Sequence, residues 1–154
     1  MMRILSEYKT TPLQAMYLID TNIISEIRKG EKADQGVKHF FDTANQNSTP
    51  LYISSITIGE LRRGVDLIYH RGDATQGRLL ENWLNSILDE YQNNILNIDY
   101  QIALLWGRLR VPEPQHALDK LIAATALNYG LIVVTRNTKD FENTGIRLLN
   151  PFID

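Results

Sequence analysis

Short apolar runs separated by helix-like stretches constrain this chain more than any other feature. Met16–Ile19, Leu51–Ile53 and Leu131–Val134 are unbroken apolar runs, with weaker counterparts at Ile95–Ile98 and Arg147–Leu149. A strand that is apolar on both faces must be covered on both, which is the situation of parallel strands joined by helical crossovers. The pattern therefore predicts an α/β fold of three layers, a central and mostly parallel sheet flanked by helices. In such open sheets ligands bind beyond the carboxyl ends of the strands, so the residues just after Ile19, Ile53 and Val134 are the first to inspect.

The intervening segments read as helices. A short one runs from Ile23 to Lys29 and stops at Gly30, with Asp20, Thr21 and Asn22 supplying turn and capping side chains. Others span about Asp34 to Ala44 and Ser55 to Tyr69. Leu79, Leu80, Trp83, Leu84, Ile87 and Leu88 recur at helical spacing, as do Ile102, Leu105, Trp106 and Leu109. The two tryptophans on these faces read as core or dimer contacts. Ala117 to Tyr129 is apolar around most of its circumference, which predicts a buried helix closed by Gly130. Residues 1–15 show no sustained period and read as an amino-terminal extension ahead of one domain over 16–154.

Composition narrows the chemistry. The chain has no cysteine among its 154 residues, which excludes disulfides, thiol catalysis and cysteine-bound zinc. No apolar run approaches the roughly 20 residues of a membrane span, and no signal core follows the first basic residue, so a cytoplasmic protein with no membrane role is expected. The formal net charge of −2 leaves any nucleic-acid binding to a local patch.

Four acids stand out. Asp20 directly follows the first strand, where it also suits a helix cap. Glu60 sits on a helix beside small residues, one turn from Arg63, a candidate ion-pair partner. Asp119 shares a helical face with Ile122, Ala123 and Ala126, although favourable placement in a first helical turn is worth only about 0.3–1 kcal/mol. Asp140 and Asn137 follow the strongest strand. If Asp20, Glu60, Asp119 and Asp140 converge, their mutual repulsion raises their pKa values unless a cation is present. Hard oxygen ligands without a His or Cys cluster select Mg²⁺ or Mn²⁺. A metal-activated water attacking a phosphodiester is the matching chemistry. His39, His70 and His116 have no mutual ligand spacing and read as surface residues.

The segments Tyr17–Asn22, Ile53–Leu61, Asp119–Ala126 and Val134–Phe141, in that order, resemble the four acidic motifs of PIN-domain nucleases. Within that family the chain is most similar to VapC-type and FitB-type toxins. The resemblance implies a metal-dependent endoribonuclease in which Asp20, Glu60 and Asp119 ligate Mg²⁺ or Mn²⁺, with Asp140 or Asn137 in the fourth position. Thr21, Asn22, Thr135 and Asn137 then take substrate or supporting places, and Arg63, Arg136 and Lys139 are candidate substrate contacts. It also implies a homodimer, RNA as substrate, and a cognate antitoxin that joins the toxin in a hetero-oligomer on DNA. The competing readings are a metal-dependent phosphatase and a catalytically degenerate PIN module that binds RNA or a protein partner.

Overall fold

The computed structural model describes residues 15–153, so the expected extension lies, but for Ala15, outside the described residues. In chain order the elements are β1 (Tyr17–Ile19), α1 (Thr21–Ile27), a 3-10 turn (Gly30–Lys32), α2 (Gln35–Gln46), β2 (Leu51–Ser54), α3 (Ser55–His70), α4 (Ala74–Glu90), β3 (Ile95–Leu96), α5 (Tyr100–Leu109), α6 (Ala117–Tyr129), β4 (Ile132–Val134), a second 3-10 turn (Thr138–Phe141) and β5 (Arg147–Leu149). The strands form a five-stranded sheet in the order β3-β2-β1-β4-β5, and every neighbouring pair is parallel. The three-layer expectation holds.

Alternation along each strand divides the interior into two cores, as the period of two requires. Leu18, Tyr52 and Val133 occupy paired positions and join Ile102, Ile122, Ala123 and Phe141 on the α5 and α6 side. Ile19, Ile53 and Val134 point the other way, toward Ile23, Ile24, Val37, Leu61, Val65, Leu84 and Ile87 from α1 to α4. Burying one such aliphatic side chain completely contributes about 1.5–3 kcal/mol. Trp106 and Trp83 are partly buried against one core each, Trp106 beneath the Arg110 guanidinium and Trp83 beneath that of Arg28. Trp106 also donates its indole N–H to the Ala117 carbonyl at 2.9 Å.

Local chemistry sets the boundaries. The first helix begins at Thr21 rather than Ile23 because Asp20 itself is the N-cap, its Oδ1 accepting from the Thr21 N–H at 2.9 Å. Thr21 and Asn22 are therefore helical residues and not caps. Helix α6 is buried along most of its length, as its apolar circumference predicts, and ends at Gly130 in the left-handed region. The third strand is only Ile95–Leu96, shorter than its apolar run. Near the carboxyl end, Ile153 donates its backbone N–H to Asp34 Oδ1 at 3.3 Å. The Pro151 carbonyl oxygen lies so close to Gly36 in α2 that a Cβ there would overlap it.

Candidate metal centre

The strand order reverses between β1 and β4, since β1 leads outward to β2 and β3 while β4 leads the other way to β5. A crevice at the carboxyl ends of these two strands is where such sheets bind ligands. Asp20 leaves β1 at that point, its N–H bonded to the Val134 carbonyl at 3.0 Å, and Thr135 leaves β4 beside it. Both are buried.

The Asp20 carboxylate is held by three donors. Oδ1 accepts from the Thr21 N–H, while Oδ2 accepts from Thr135 Oγ1 at 2.8 Å and from Asn22 Nδ2 at 3.3 Å. Thr135 Oγ1 in turn accepts from Asn22 Nδ2 at 3.2 Å and from the Asn137 N–H at 3.1 Å. A hydroxyl has one donor and two acceptor sites, so this one is fully used and has no capacity left for a phosphate oxygen. The Thr135 hydroxyl is thus engaged by Asp20, Asn22 and Asn137, an arrangement in keeping with a supporting place beside Asp20. Asn22 Oδ1 closes the network by accepting from the Arg136 N–H at 3.1 Å. Burial pushes the Asp20 pKa up despite these donors, and the Asp140 charge adds to the rise.

The remaining acids arrive from three separate elements. Glu60, on α3, accepts from Thr21 Oγ1 at 2.7 Å, so its hydrogen bond goes across to α1 rather than to Arg63 one turn along. Asp119 stands in the first turn of α6. Its carboxyl is pushed up to about 6, first by burial, then by the charges of Asp20 and Asp140, with a smaller push from Glu60 and an opposing pull from His116. The fields of all four acids thus meet at one group. Asp140, from the second 3-10 turn, brings a carboxylate oxygen within 4.8 Å of ligand atoms of both Asp119 and His116. The carboxylate beside Asp119 is therefore that of Asp140, whereas Asn137 contributes its backbone N–H to Thr135.

Other residues singled out in the sequence lie elsewhere or do other work. Arg136 stacks on the Phe152 ring at 4.3 Å, and Arg63 and Lys139 are exposed. His39 and His70 are exposed on α2 and α3, in keeping with surface roles. His116 differs, because its Nδ1 lies 3.7 Å from Asp119 Oδ2. Its three-residue offset from Asp119 already puts it within local reach in the sequence, although a surface role is the expectation there. A cavity of about 640 Å³ between α1, α2 and α4 includes none of the four acids in its lining, so volume alone does not mark the centre.

Asp20 and Asp119, both pushed up by burial and by neighbouring carboxylate charge, fit a bound dication, whose charge would reverse the penalty. The donors are hard oxygens with one imidazole alongside, and His116, Asp119 and Asp140 can supply one ligand atom each to a common ion.

The PIN domain family model matches residues 17–146, from β1 through the last of the acidic segments. The chain belongs to the PIN-domain family. The protein named Toxin FitB from Neisseria gonorrhoeae is 32% identical over 144 residues, covering 90% of this chain and 100% of its own length. VapC ribonuclease Y4jK from Sinorhizobium fredii is 32% identical over 143 residues, 89% of this chain and 98% of its own. Among solved structures, FitAcB from Neisseria gonorrhoeae superposes with a TM-score of 0.76 at 32% identity, covering 88% of this chain and 98% of the other. DNA-bound VapBC from Salmonella typhimurium gives 0.65 at 26% identity, with 88% and 98% covered. This PIN domain carries Asp20 at the sheet reversal, and among its described residues no helix is long and apolar enough to cross a membrane.

Proposed function

We propose that this PIN domain is a Mg²⁺- or Mn²⁺-dependent endoribonuclease, the toxin component of a bacterial type II toxin–antitoxin module. What supports the reading is that Asp119 and Asp140 bring carboxylate oxygens within 4.8 Å of each other and that Asp119 feels the charges of Asp20, Asp140 and Glu60, acids far apart in sequence. The names of relatives of nearly the same length, a toxin and a ribonuclease, support the substrate class and the biological role. When bound, the dication supplies a water of lowered pKa and neutralises charge developing on the phosphate.

Asp20 and Asp119 are the principal ligands in this proposal, Glu60 is a ligand or orients the attacking water, and Asp140 completes the acidic set. Thr135, Thr21 and Asn22 fix Asp20, and Thr21 also fixes Glu60 through its hydroxyl. These supports hold ligand oxygens in place before substrate arrives, which lowers the cost of assembling the centre. The rest of the proposal places the domain at residues 16–154 with 1–15 as an extension. It also assigns a homodimer, a cognate antitoxin with which it occupies DNA, and a cytoplasmic location.

Purified protein supplied with Mg²⁺ or Mn²⁺ is expected to cut RNA internally, leaving 5′-phosphate and 3′-hydroxyl ends. Asp20→Asn and Asp119→Asn are each expected to lower the rate by at least about a hundredfold while the chain remains folded. Undiminished cleavage in those variants or in excess EDTA overturns the metal mechanism. RNA binding that survives metal removal and gives no product would establish a binding module instead.

A further inference from the structure

Position 116 is an unusual place for histidine. It is the N-cap of α6, where Ser, Thr, Asp or Asn would accept a backbone N–H, yet its side chain makes no capping bond. Its backbone is left-handed at φ +57°, a conformation that costs a residue with a Cβ roughly 1–2 kcal/mol. The side chain is half exposed, so it gains little from packing. Neither capping nor burial accounts for an imidazole here.

The arrangement around it has the dimensions of a shared ligand set. A direct hydrogen bond between His116 and Asp119 would bring nitrogen and oxygen to about 2.7–3.2 Å. The observed 3.7 Å is too long for that and is an ion-pair separation when the imidazole is protonated. Two donors each about 2.0–2.2 Å from one common ion stand about 3–4 Å apart, depending on the angle between them. Asp140 offers a third donor atom within the same 4.8 Å grouping. An imidazole among carboxylates changes the selectivity of such a centre, because nitrogen adds little for Mg²⁺ and more for first-row transition ions.

We infer that His116 is a nitrogen ligand of the metal centre, together with Asp119 and Asp140, and that it biases this PIN domain toward Mn²⁺ over Mg²⁺. The inference rests on the metal-dependent reading above, extending it from four acids to a mixed nitrogen and oxygen donor set.

The test is spectroscopic and independent of turnover. Full-length protein is titrated with Mn²⁺ and followed by electron paramagnetic resonance, with pulsed measurements of the coupling to ¹⁴N, alongside calorimetric titration with Mg²⁺. The variants are His116→Ala and His116→Asn, the second keeping a side chain that tolerates the left-handed backbone while removing the imidazole. The wild type is expected to show ¹⁴N coupling on bound Mn²⁺. Both variants are expected to lose it and to bind Mn²⁺ about tenfold more weakly, with Mg²⁺ affinity changed less than about threefold. Bound Mn²⁺ without ¹⁴N coupling, or coupling that persists in both variants, overturns the role of His116 and leaves the acidic centre standing. Failure of the wild type to bind Mn²⁺ overturns both the inference and the reading beneath it, whereas binding indifferent to Asp20→Asn overturns the four-acid reading alone.

Discussion

Thr135 Oγ1 donates a hydrogen bond of 2.8 Å to Oδ2 of Asp20, joining the ends of the two central strands across 115 residues of chain. Both partners are buried, and the hydroxyl simultaneously accepts from Asn22 and from the Asn137 N–H. Thr135→Val keeps the shape and removes this junction, leaving buried polar groups without their partner at a cost of about 1–3 kcal/mol. Metal affinity is expected to fall about 10–100-fold, since Asp20 loses the donor that aims it. Chemical denaturation and calorimetric titration with Mn²⁺ measure the two effects, and Thr135→Ser should restore both. Unchanged affinity in the valine variant would sink the positioning role.

Asp119 makes the metal-free protein sensitive to pH. Its carboxyl has an ordinary value of 3.8 and is pushed up to about 6 in the fold. Between those values the folded chain retains a proton that the unfolded chain has released, so stability falls as pH rises through the window. Below about pH 4 both states are protonated and the penalty is gone. Discounted for the partial exposure of the side chain, the penalty above pH 6 is about 1–2 kcal/mol. For a domain of this size that is worth roughly 2–4 °C in Tm per kcal/mol. Asp119→Asn is accordingly expected to melt a few degrees above wild type at pH 7.5 in chelator, with the difference closing near pH 4. Thermal unfolding by circular dichroism decides it, and a variant less stable than wild type at pH 7.5 contradicts the electrostatic account.

Two glycines should answer the same substitution with opposite signs. At Gly36 a methyl group would collide with the Pro151 backbone oxygen and crowd Ile153, so Gly36→Ala displaces the carboxyl-terminal segment from α2. Overpacking of this kind costs about 1–3 kcal/mol. Gly64, exposed within α3, has open space where its Cβ would stand. Gly64→Ala should therefore stabilise by about 0.5–1 kcal/mol, through the loss of backbone freedom in the unfolded chain. Paired urea denaturation curves give both values, and equal effects at the two positions would refute the packing argument.

Much of the fold was legible because strand and helix periods are written in the apolar residues. Leu18 and Ile19 are adjacent, apolar and on opposite faces, which is why a continuous apolar run correctly signalled a sheet covered on both sides. Asp20 was visible as a cap and as an acid in a crevice, and it is placed to be both. The hydroxyl partners were less legible. Nothing local in sequence says that Thr21 reaches Glu60 or that Thr135 reaches Asp20, because those contacts depend on how α1, α3 and β4 are brought together. His116 reads in the sequence as a surface residue within local reach of Asp119, and its backbone was not legible. Its left-handed backbone at the start of α6 depends on the path of the preceding loop, and that path has no periodic signature.

The central strand β1, hydrogen-bonded on both edges, presents Asp20, whereas Asp140 comes from a single 3-10 turn near the end of the chain. Amide protection scales with such embedding, so the proposed metal centre should dissolve unevenly, fraying at Asp140 while Asp20 still resists exchange. Catalytic competence would then vanish in mild urea well before global melting, making loss of cutting an early herald of denaturation rather than its result.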